Sequence, residues 1–324
     1  MSRAVTAPRP GPYLGIDIGA TKVLVGLVTP DGRLLAHSDR VVHSNEGLEE
    51  VLARVHEGIG RLGSTAPPIA AGVAVAAQVD PRDGTVLYAP NLRWRDVPLG
   101  PRLSKELGVP VRVENDVRAA VWGEWVHGAG RGSTEVLGLF IGTGVGGAVI
   151  SDGRLLHGAR FAAGEIGHST LVAGGRRCHC PNRGCLEAYI GGWAIAERAQ
   201  EAVADDPVAG GRLVETAGGG TAITAATVAT LARAGDPLAT RLANETSDYL
   251  AAAAVGLVNA FNPERLILGG GLLAHWPELA LGVPGALSER CQPPAARAVT
   301  VTFAALRHHA SVIGAATLAA ASAR

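Results

Sequence analysis

One stretch of this sequence occurs twice, and the repeat sets the frame for any fold. Residues 13–28 read Tyr13-Leu14-Gly15-Ile16-Asp17-Ile18-Gly19-Ala20-Thr21-Lys22-Val23-Leu24-Val25-Gly26-Leu27-Val28. Residues 137–150 read Leu137-Gly138-Leu139-Phe140-Ile141-Gly142-Thr143-Gly144-Val145-Gly146-Gly147-Ala148-Val149-Ile150. Each is a run of strong β-formers broken by a glycine-rich kink, and each leads into an Asp-Gly turn. The exits match residue for residue, Asp31-Gly32-Arg33-Leu34-Leu35 and Asp152-Gly153-Arg154-Leu155-Leu156. Chance likeness of two Gly-rich strands is the plain alternative. Duplication of one β-hairpin unit is the simpler account.

After each hairpin the pattern turns to β/α. Helical patterns cover 47–63 and 99–107, with strands at 70–78 and 111–114. In the second half, helices are expected at 192–204, 221–234 and 237–259, strands at 265–268 and 298–304, and an Ala-rich helix from about 311. Hairpin strands followed by β/α units, done twice, predict two α/β domains facing each other across a cleft that holds the ligands. With 47% hydrophobic and 18% charged residues among 324, the chain can bury two cores. Its 29 basic and 29 acidic side chains cancel, which argues against a nucleic acid or an anionic membrane as partner. The apolar runs at 137–150 and 250–261 are too short or too Gly-rich to span a bilayer. Residues 1–12 are polar and Pro-rich without an apolar h-region, so a loose tail and a cytoplasmic protein are expected.

Three of the four cysteines fall within 178–185, as Cys178-His179-Cys180 and Gly184-Cys185-Leu186-Glu187. Just upstream lies Gly164-Glu165-Ile166-Gly167-His168. With His168 the cysteines make a Cys₃His set, the donor chemistry of a closed tetrahedral zinc site. Buried small residues or a redox-active thiol cluster are the alternatives. A disulfide framework is not expected, since Cys291 is remote and no secretory signal precedes it. His179 competes with His168 as fourth ligand, but the loop can bring His168 round whereas His179 should point away. A metal here would fix Glu165 and Glu187 in space.

Gly142-x-Gly144-x-x-Gly147 formally satisfies the dinucleotide fingerprint, which must open a helix. Here Ala148-Val149-Ile150 continue as strand, so a phosphate-cradling hairpin is expected instead. In the first hairpin, Asp17 lies among apolar strand residues, which is costly unless it is hydrogen-bonded or works with a metal. Thr21 and the backbone beyond it suit a phosphate, and Lys22 is one of only two lysines; a turn Asp with a solvated Lys is the bland alternative. In Val113-Glu114-Asn115-Asp116-Val117, Asp116 reads by itself as a plain helix N-cap. Beside bound phosphates it suits a general base that takes a hydroxyl proton.

Taken together, Asp17-x-Gly19-x-Thr21, Glu114-Asn115-Asp116, Gly142-Thr143-Gly144-x-Gly146-Gly147, Gly164-Glu165-x-Gly167-His168 and Cys178-x-Cys180 through Cys185-x-Glu187 resemble the ROK family of sugar kinases and related repressors, in the hexokinase–actin superfamily. The likeness runs over nearly the whole chain from Gly15. It implies two RNase H-like domains flanking a cleft: an N-terminal domain over 13–116 completed by a C-terminal helix at about 305–324, and a second over 117–304 with the zinc loop. It implies an ATP-dependent hexose kinase, most like the bacterial glucokinases of the family, using Mg²⁺ and a structural Zn²⁺. Asp17, Gly19, Ala20, Thr21 and Lys22 fall on the first phosphate loop, and Gly142, Thr143, Gly144, Val145, Gly146 and Gly147 on the second. Gly269, Gly270 and Gly271 fall near the adenosine. Asp116 falls on the catalytic base for the sugar 6-hydroxyl. Asn91, Asn115, Asp116, Glu165, His168 and Glu187 fall on sugar contacts, and His168, Cys178, Cys180 and Cys185 on the zinc ligands. His179, Pro181 and the absence of a Pro-Gly pair near 72–80 depart from the family pattern.

The expected partners are a hexose and ATP, with the chain as a homodimer or homotetramer. An N-acetylhexosamine, mannose or fructose kinase is the rival within the family, and a non-catalytic sugar sensor the rival outside catalysis. Family repressors carry a helix-turn-helix ahead of the sugar-binding body. With the first hairpin starting by Tyr13 and no net charge, a kinase is expected.

Overall fold

The structure, a computed structural model, describes residues 11–43, 47–63 and 67–322. Of the tail expected over 1–12, the part up to Pro10 lies outside the described residues. The described chain packs as two units. The first takes residues up to Ser133, Val149–Gly164 and those from Ala305 onward, and the second takes Thr134–Ala148 and Glu165–Ala304. The first unit thus runs past the 13–116 span expected for it and draws in a segment from the middle of the chain.

In the first unit, β1 (Tyr13–Ile18), β2 (Lys22–Val28) and β3 (Leu34–Val41) form the antiparallel meander that the Gly-rich kink and the Asp-Gly turn predict. Helix α1 (Leu48–Gly60) lays Val51, Leu52, Val55 and Gly58 on the sheet. β4 (Ala71–Val75) is buried along its whole length and pairs parallel with β1, as a central strand covered on both faces should. The run predicted over 70–78 breaks there, because Gln78–Asp80 leaves the main sheet. It forms β5 of a small antiparallel sheet with β6 (Thr85–Ala89) and β7 (Trp94–Val97). Helix α2 (Leu99–Leu107) ends on Gly108 in the left-handed conformation, φ 68°, as a glycine C-cap allows. β8 (Val111–Asn115) completes the order β3-β2-β1-β4-β8, and α3 (Asp116–His127) follows without a break.

The last helix, Ala310–Ser322, carries no charged side chain and is buried nearly all round. It seats against β1, β4 and α3 with backbone-to-backbone intimacy. A Cβ on Gly72 would lie 1.8 Å from the Ala315 carbonyl oxygen, and one on Gly314 would lie 1.7 Å from that of Ala119. This helix completes the first unit, although nearly two hundred residues separate it from α3.

A second sheet repeats the plan. β9 (Val136–Ile141), β10 (Val145–Ser151) and β11 (Arg154–Leu155) form a meander, and the sheet order is β11-β10-β9-β12-β13. β12 (Arg265–Gly269) pairs parallel with β9 on one side and with β13 (Thr300–Phe303) on the other. Strand for strand this is the order of the first sheet, so the duplication legible at the two hairpins extends to both RNase H-like sheets. Between β11 and β12 lie the Cys₃His loop, α4 (Glu187–Ile190), α5 (Gly192–Asp205), α6 (Gly211–Ala217), α7 (Ala225–Arg233) and the long α8 (Pro237–Phe261). Helices α9 (Gly271–His275), α10 (Val283–Arg290) and α11 (Pro293–Ala298) separate β12 from β13. Among the described residues no helix is long and apolar enough to cross a membrane.

Candidate active site

The first unit holds Asp17, Gly19, Ala20, Thr21, Lys22, Asn91, Asn115 and Asp116. Asp17 is the penultimate residue of β1 and the one residue of that strand that is not fully buried. The Ser311 hydroxyl, at the start of the last helix, donates to Asp17 Oδ2 over 2.5 Å. Burial pushes this carboxyl up to about 6; the Ser311 hydrogen bond opposes the rise, the Asp116 charge adds to it, and Lys22 opposes it. The turn after Asp17 is closed by the Gly19 N–H on the Lys22 carbonyl at 2.9 Å, and Lys22 is exposed.

Asp116 is not the N-cap of α3. Asn115 takes that role, its Oδ1 accepting from the Arg118 N–H at 3.0 Å, which leaves Asp116 as first residue of the helix. The Asn115 amide donates onward to Asp116 Oδ1 at 2.9 Å and to the Ala77 carbonyl at 3.2 Å. Burial raises the Asp116 carboxyl above its usual range, although neighbouring N–H groups, the Arg118 charge and the Asn115 amide pull the other way. The cap is therefore also the side chain that orients the acid beside it. Asn91 sits in the 3₁₀ turn Pro90–Leu92 and is exposed.

Beneath this strand end lies a buried ionic network that the motif alone did not reveal. Glu114 and Arg118 are each 1% exposed, and Arg118 Nε donates to Glu114 Oε1 at 2.7 Å. His157 Nε2 lies 2.7 Å from Glu114 Oε2, and Arg118 Nη1 donates to the Phe161 and Ala163 carbonyls. Burial works against ionising Glu114. The His157 hydrogen bond and the Arg118 charge outweigh it and hold the carboxyl below its usual range. A glutamate four residues before an arginine was visible in the sequence; the histidine 43 residues downstream was not.

The second unit holds Gly142–Gly147, Glu165, His168, Glu187, the three clustered cysteines, Gly269 and Gly270. The glycine motif is a turn between two strands, so it does not open a helix as a dinucleotide fingerprint would. Its conformation is held from outside: Glu187 Oε2 accepts the Val145 N–H at 2.8 Å. The Gly192 and Trp193 N–H groups, at the start of α5, donate to the Gly142 and Thr143 carbonyls at 3.0 and 3.1 Å. Gly270 has φ 91°, and a Cβ there would lie 2.3 Å from the Ile141 carbonyl oxygen, so only glycine serves at this junction after β12.

His168, Cys178, Cys180 and Cys185 present ligand atoms all within 4.8 Å of one another. The Cys180 and Cys185 sulfurs are 3.6 Å apart, and Cys178 Sγ lies 3.7 Å from His168 Nδ1. A tetrahedral zinc with Zn–S bonds of about 2.3 Å needs ligand edges of roughly 3.7 Å, so the donors fit that ion. Burial drives the Cys178 thiol up to about 12 and raises Cys185, while Cys180 falls below its usual range because, against burial, the Asn182 N–H and the neighbouring thiols donate to it. Such a crowd of sulfurs ionises fully only if a cation is supplied. His179 is not in the cluster. Its ring stacks on Trp193, centroids 3.9 Å apart and planes at 22°. Cys291 is buried and remote, with no disulfide partner. Glu165 is exposed, one residue before the 3₁₀ turn Ile166–His168 that carries the histidine of the cluster.

The chain is 36% identical over 262 residues to a glucokinase of Thermotoga maritima, an alignment covering 80% of this chain and 81% of that protein. Its structure is similar to that of a ROK family glucokinase from Streptomyces griseus in complex with glucose and AMPPNP. The TM-score is 0.82 at 31% identity, over 95% of this chain and 99% of the other. It is also similar to a ROK family transcriptional regulator homologous to the E. coli MLC protein, with a TM-score of 0.80 at 25% identity, over 96% of this chain and 78% of that one. The sequence pattern of the family matches residues 13–322, and the chain therefore belongs to the ROK family.

Proposed function

We propose that this protein is an ATP-dependent hexose kinase that phosphorylates the 6-hydroxyl of glucose. The observation that carries the reading is Asp116: an acid at the first position of a helix, oriented by the Asn115 amide and raised by burial toward the pH at which it works. Its carboxylate takes the proton from the sugar 6-hydroxyl as that oxygen attacks the γ-phosphorus, and the phosphoryl bond to ADP breaks. Asn115, Glu165, His168, Glu187 and Asn91 are proposed to hold the other sugar hydroxyls. The two Gly-rich turns offer backbone N–H groups to the phosphates, and Lys22 offers a charge.

Asp17 and Asp116 repel one another in a buried setting, which suits Asp17 to a divalent cation. Mg²⁺ bound there would neutralise phosphate charge as it shifts in the transfer. The Cys₃His cluster would hold zinc in a closed structural site, which leaves no position for substrate.

The regulator reading draws on a relative of like fold, but a sensor has no need of an oriented base. The test is a panel of glucose, mannose, fructose and N-acetylhexosamines with ATP and Mg²⁺. Glucose should give the highest kcat/KM, and Asp116→Asn should lower kcat by at least ~10²-fold with little change in sugar affinity. Near-full kcat in that variant would remove Asp116 as the base; no transfer to any sugar by the wild type would remove the kinase reading.

A further inference from the structure

We propose that the stacked pair His179 and Trp193 is a positioning device that carries the order of the Cys₃His loop, through Glu187, to the glycine-rich turn at 142–147. His179 lies between two cluster cysteines, so whatever fixes Cys178 and Cys180 fixes the backbone from which its ring projects. That ring lies nearly flat on the Trp193 indole at 3.9 Å, against the 4.5–7 Å usual for aromatic pairs. Trp193 Nε1 donates to Glu187 Oε1 at 3.2 Å. The other oxygen of the same carboxylate accepts the Val145 N–H at 2.8 Å. Gly144 packs on that oxygen so closely that a Cβ would lie 2.5 Å from it. Both Glu187 oxygens are therefore engaged, one by the indole and one by the turn.

The backbone adds a parallel link, since the Trp193 N–H also holds the Thr143 carbonyl at 3.1 Å. The chain of contacts runs from cluster to ring, ring to indole, indole to carboxylate and carboxylate to turn. Every member belongs to the second unit. The sugar contact proposed for Glu187 and the phosphate contact proposed for the turn thus share one anchor. The kinetic consequence rests on the kinase reading above, whereas the ordering of the turn does not.

The test uses the full-length, zinc-loaded protein and hydrogen–deuterium exchange of peptides covering 142–147. Loss of a hydrogen bond to a charged group shifts a local opening equilibrium by about tenfold or more. Trp193→Ala and His179→Ala should therefore speed exchange there by about tenfold, with zinc content and the exchange of β12 unchanged. Trp193→Phe keeps a ring under His179 but removes the indole N–H, and should show the same faster exchange. His179→Phe restores a flat ring and should return exchange to the wild-type rate. In an active enzyme, Trp193→Phe should raise KM for ATP several-fold with kcat little changed. Should His179→Ala lose zinc, Trp193→Phe still decides the matter. Unchanged exchange at 142–147 in Trp193→Phe overturns the proposal, as does His179→Phe behaving like His179→Ala or an unaltered KM for ATP in an active Trp193→Phe enzyme. Faster exchange in a protein that phosphorylates no sugar supports the positioning role and refutes the kinase reading alone.

Discussion

Asp17 is a carboxyl that the fold disfavours in its charged form. Burial lifts it to about 6 from an unperturbed value of 3.8, despite the Ser311 hydroxyl and Lys22. Because the folded value exceeds the unfolded one, the protonated acid favours folding. That contribution is complete below the unfolded value and is lost as pH rises through about 6. Asp17→Asn keeps an acceptor for the Ser311 hydroxyl and removes the charge. Without Mg²⁺ it should raise Tm at pH 8 and leave Tm little changed near pH 4, while phosphoryl transfer falls sharply. A Tm at pH 8 no higher than wild type would show that the charge is better accommodated than its burial implies. The sequence singles out Asp17 as an acid among apolar strand residues, whereas Asp116 by itself reads as an N-cap and gains its proposed role from the family motif. Ser311, 294 residues from Asp17, and His157, paired with Glu114, are tertiary neighbours that no local pattern encodes. Asn115 was read as a sugar contact and its cap assigned to Asp116, because the two adjoining residues have equal capping chemistry.

At the scale of elements, close approach of the last helix to α3 and β4 makes small residues a requirement. Gly314→Ala would put a methyl group 1.7 Å from the Ala119 carbonyl oxygen, with no flexible side chain to yield. It should cost about 1–3 kcal/mol in denaturant unfolding. Gly60, at the end of α1, has nothing within 4 Å of an added Cβ, so Gly60→Ala should be neutral or stabilise slightly. Equal stability of the two variants would mean that the helix shifts without penalty. Elements with strong periodicity and distinct ends were legible: α2 spans the predicted 99–107, bounded by Pro98 and Gly108. The small sheet of β5, β6 and β7 was not, since its strands are three to five residues long and β5 follows β4 after only two residues. Helices α6 and α9 to α11 escaped for a similar reason, as runs of five to eight residues do not show a 3.6-residue period.

At the scale of the whole molecule, the two repeats are built the same way but closed differently. The second sheet takes its final strand β13 from the residues just before Ala304, so the second unit is complete at that point. The first unit still lacks Ala310–Ser322, whose Val312, Ile313, Ala316, Ala319 and Ala320 pack with Tyr13, Leu24, Val28 and Ala70. Without it, Leu24, Val28 and the β4 residue Ala74, all buried, would face water. A chain ending at Ala304 should therefore keep a folded second unit and lose the first. It should retain about one zinc per chain, and limited proteolysis should cut early within 13–133 while sparing 165–304. The full-length chain treated with a strong chelator should show the converse, with cleavage starting in 165–187, where the Cys₃His donors join segments otherwise paired through isolated bridges and loop hydrogen bonds outside any sheet. If peptides from 13–133 in the truncated chain resist protease as well as in the full-length protein, the meander and its parallel strands hold together on one covered face. The last helix would then add stability to a unit already folded and would not be a condition of its folding.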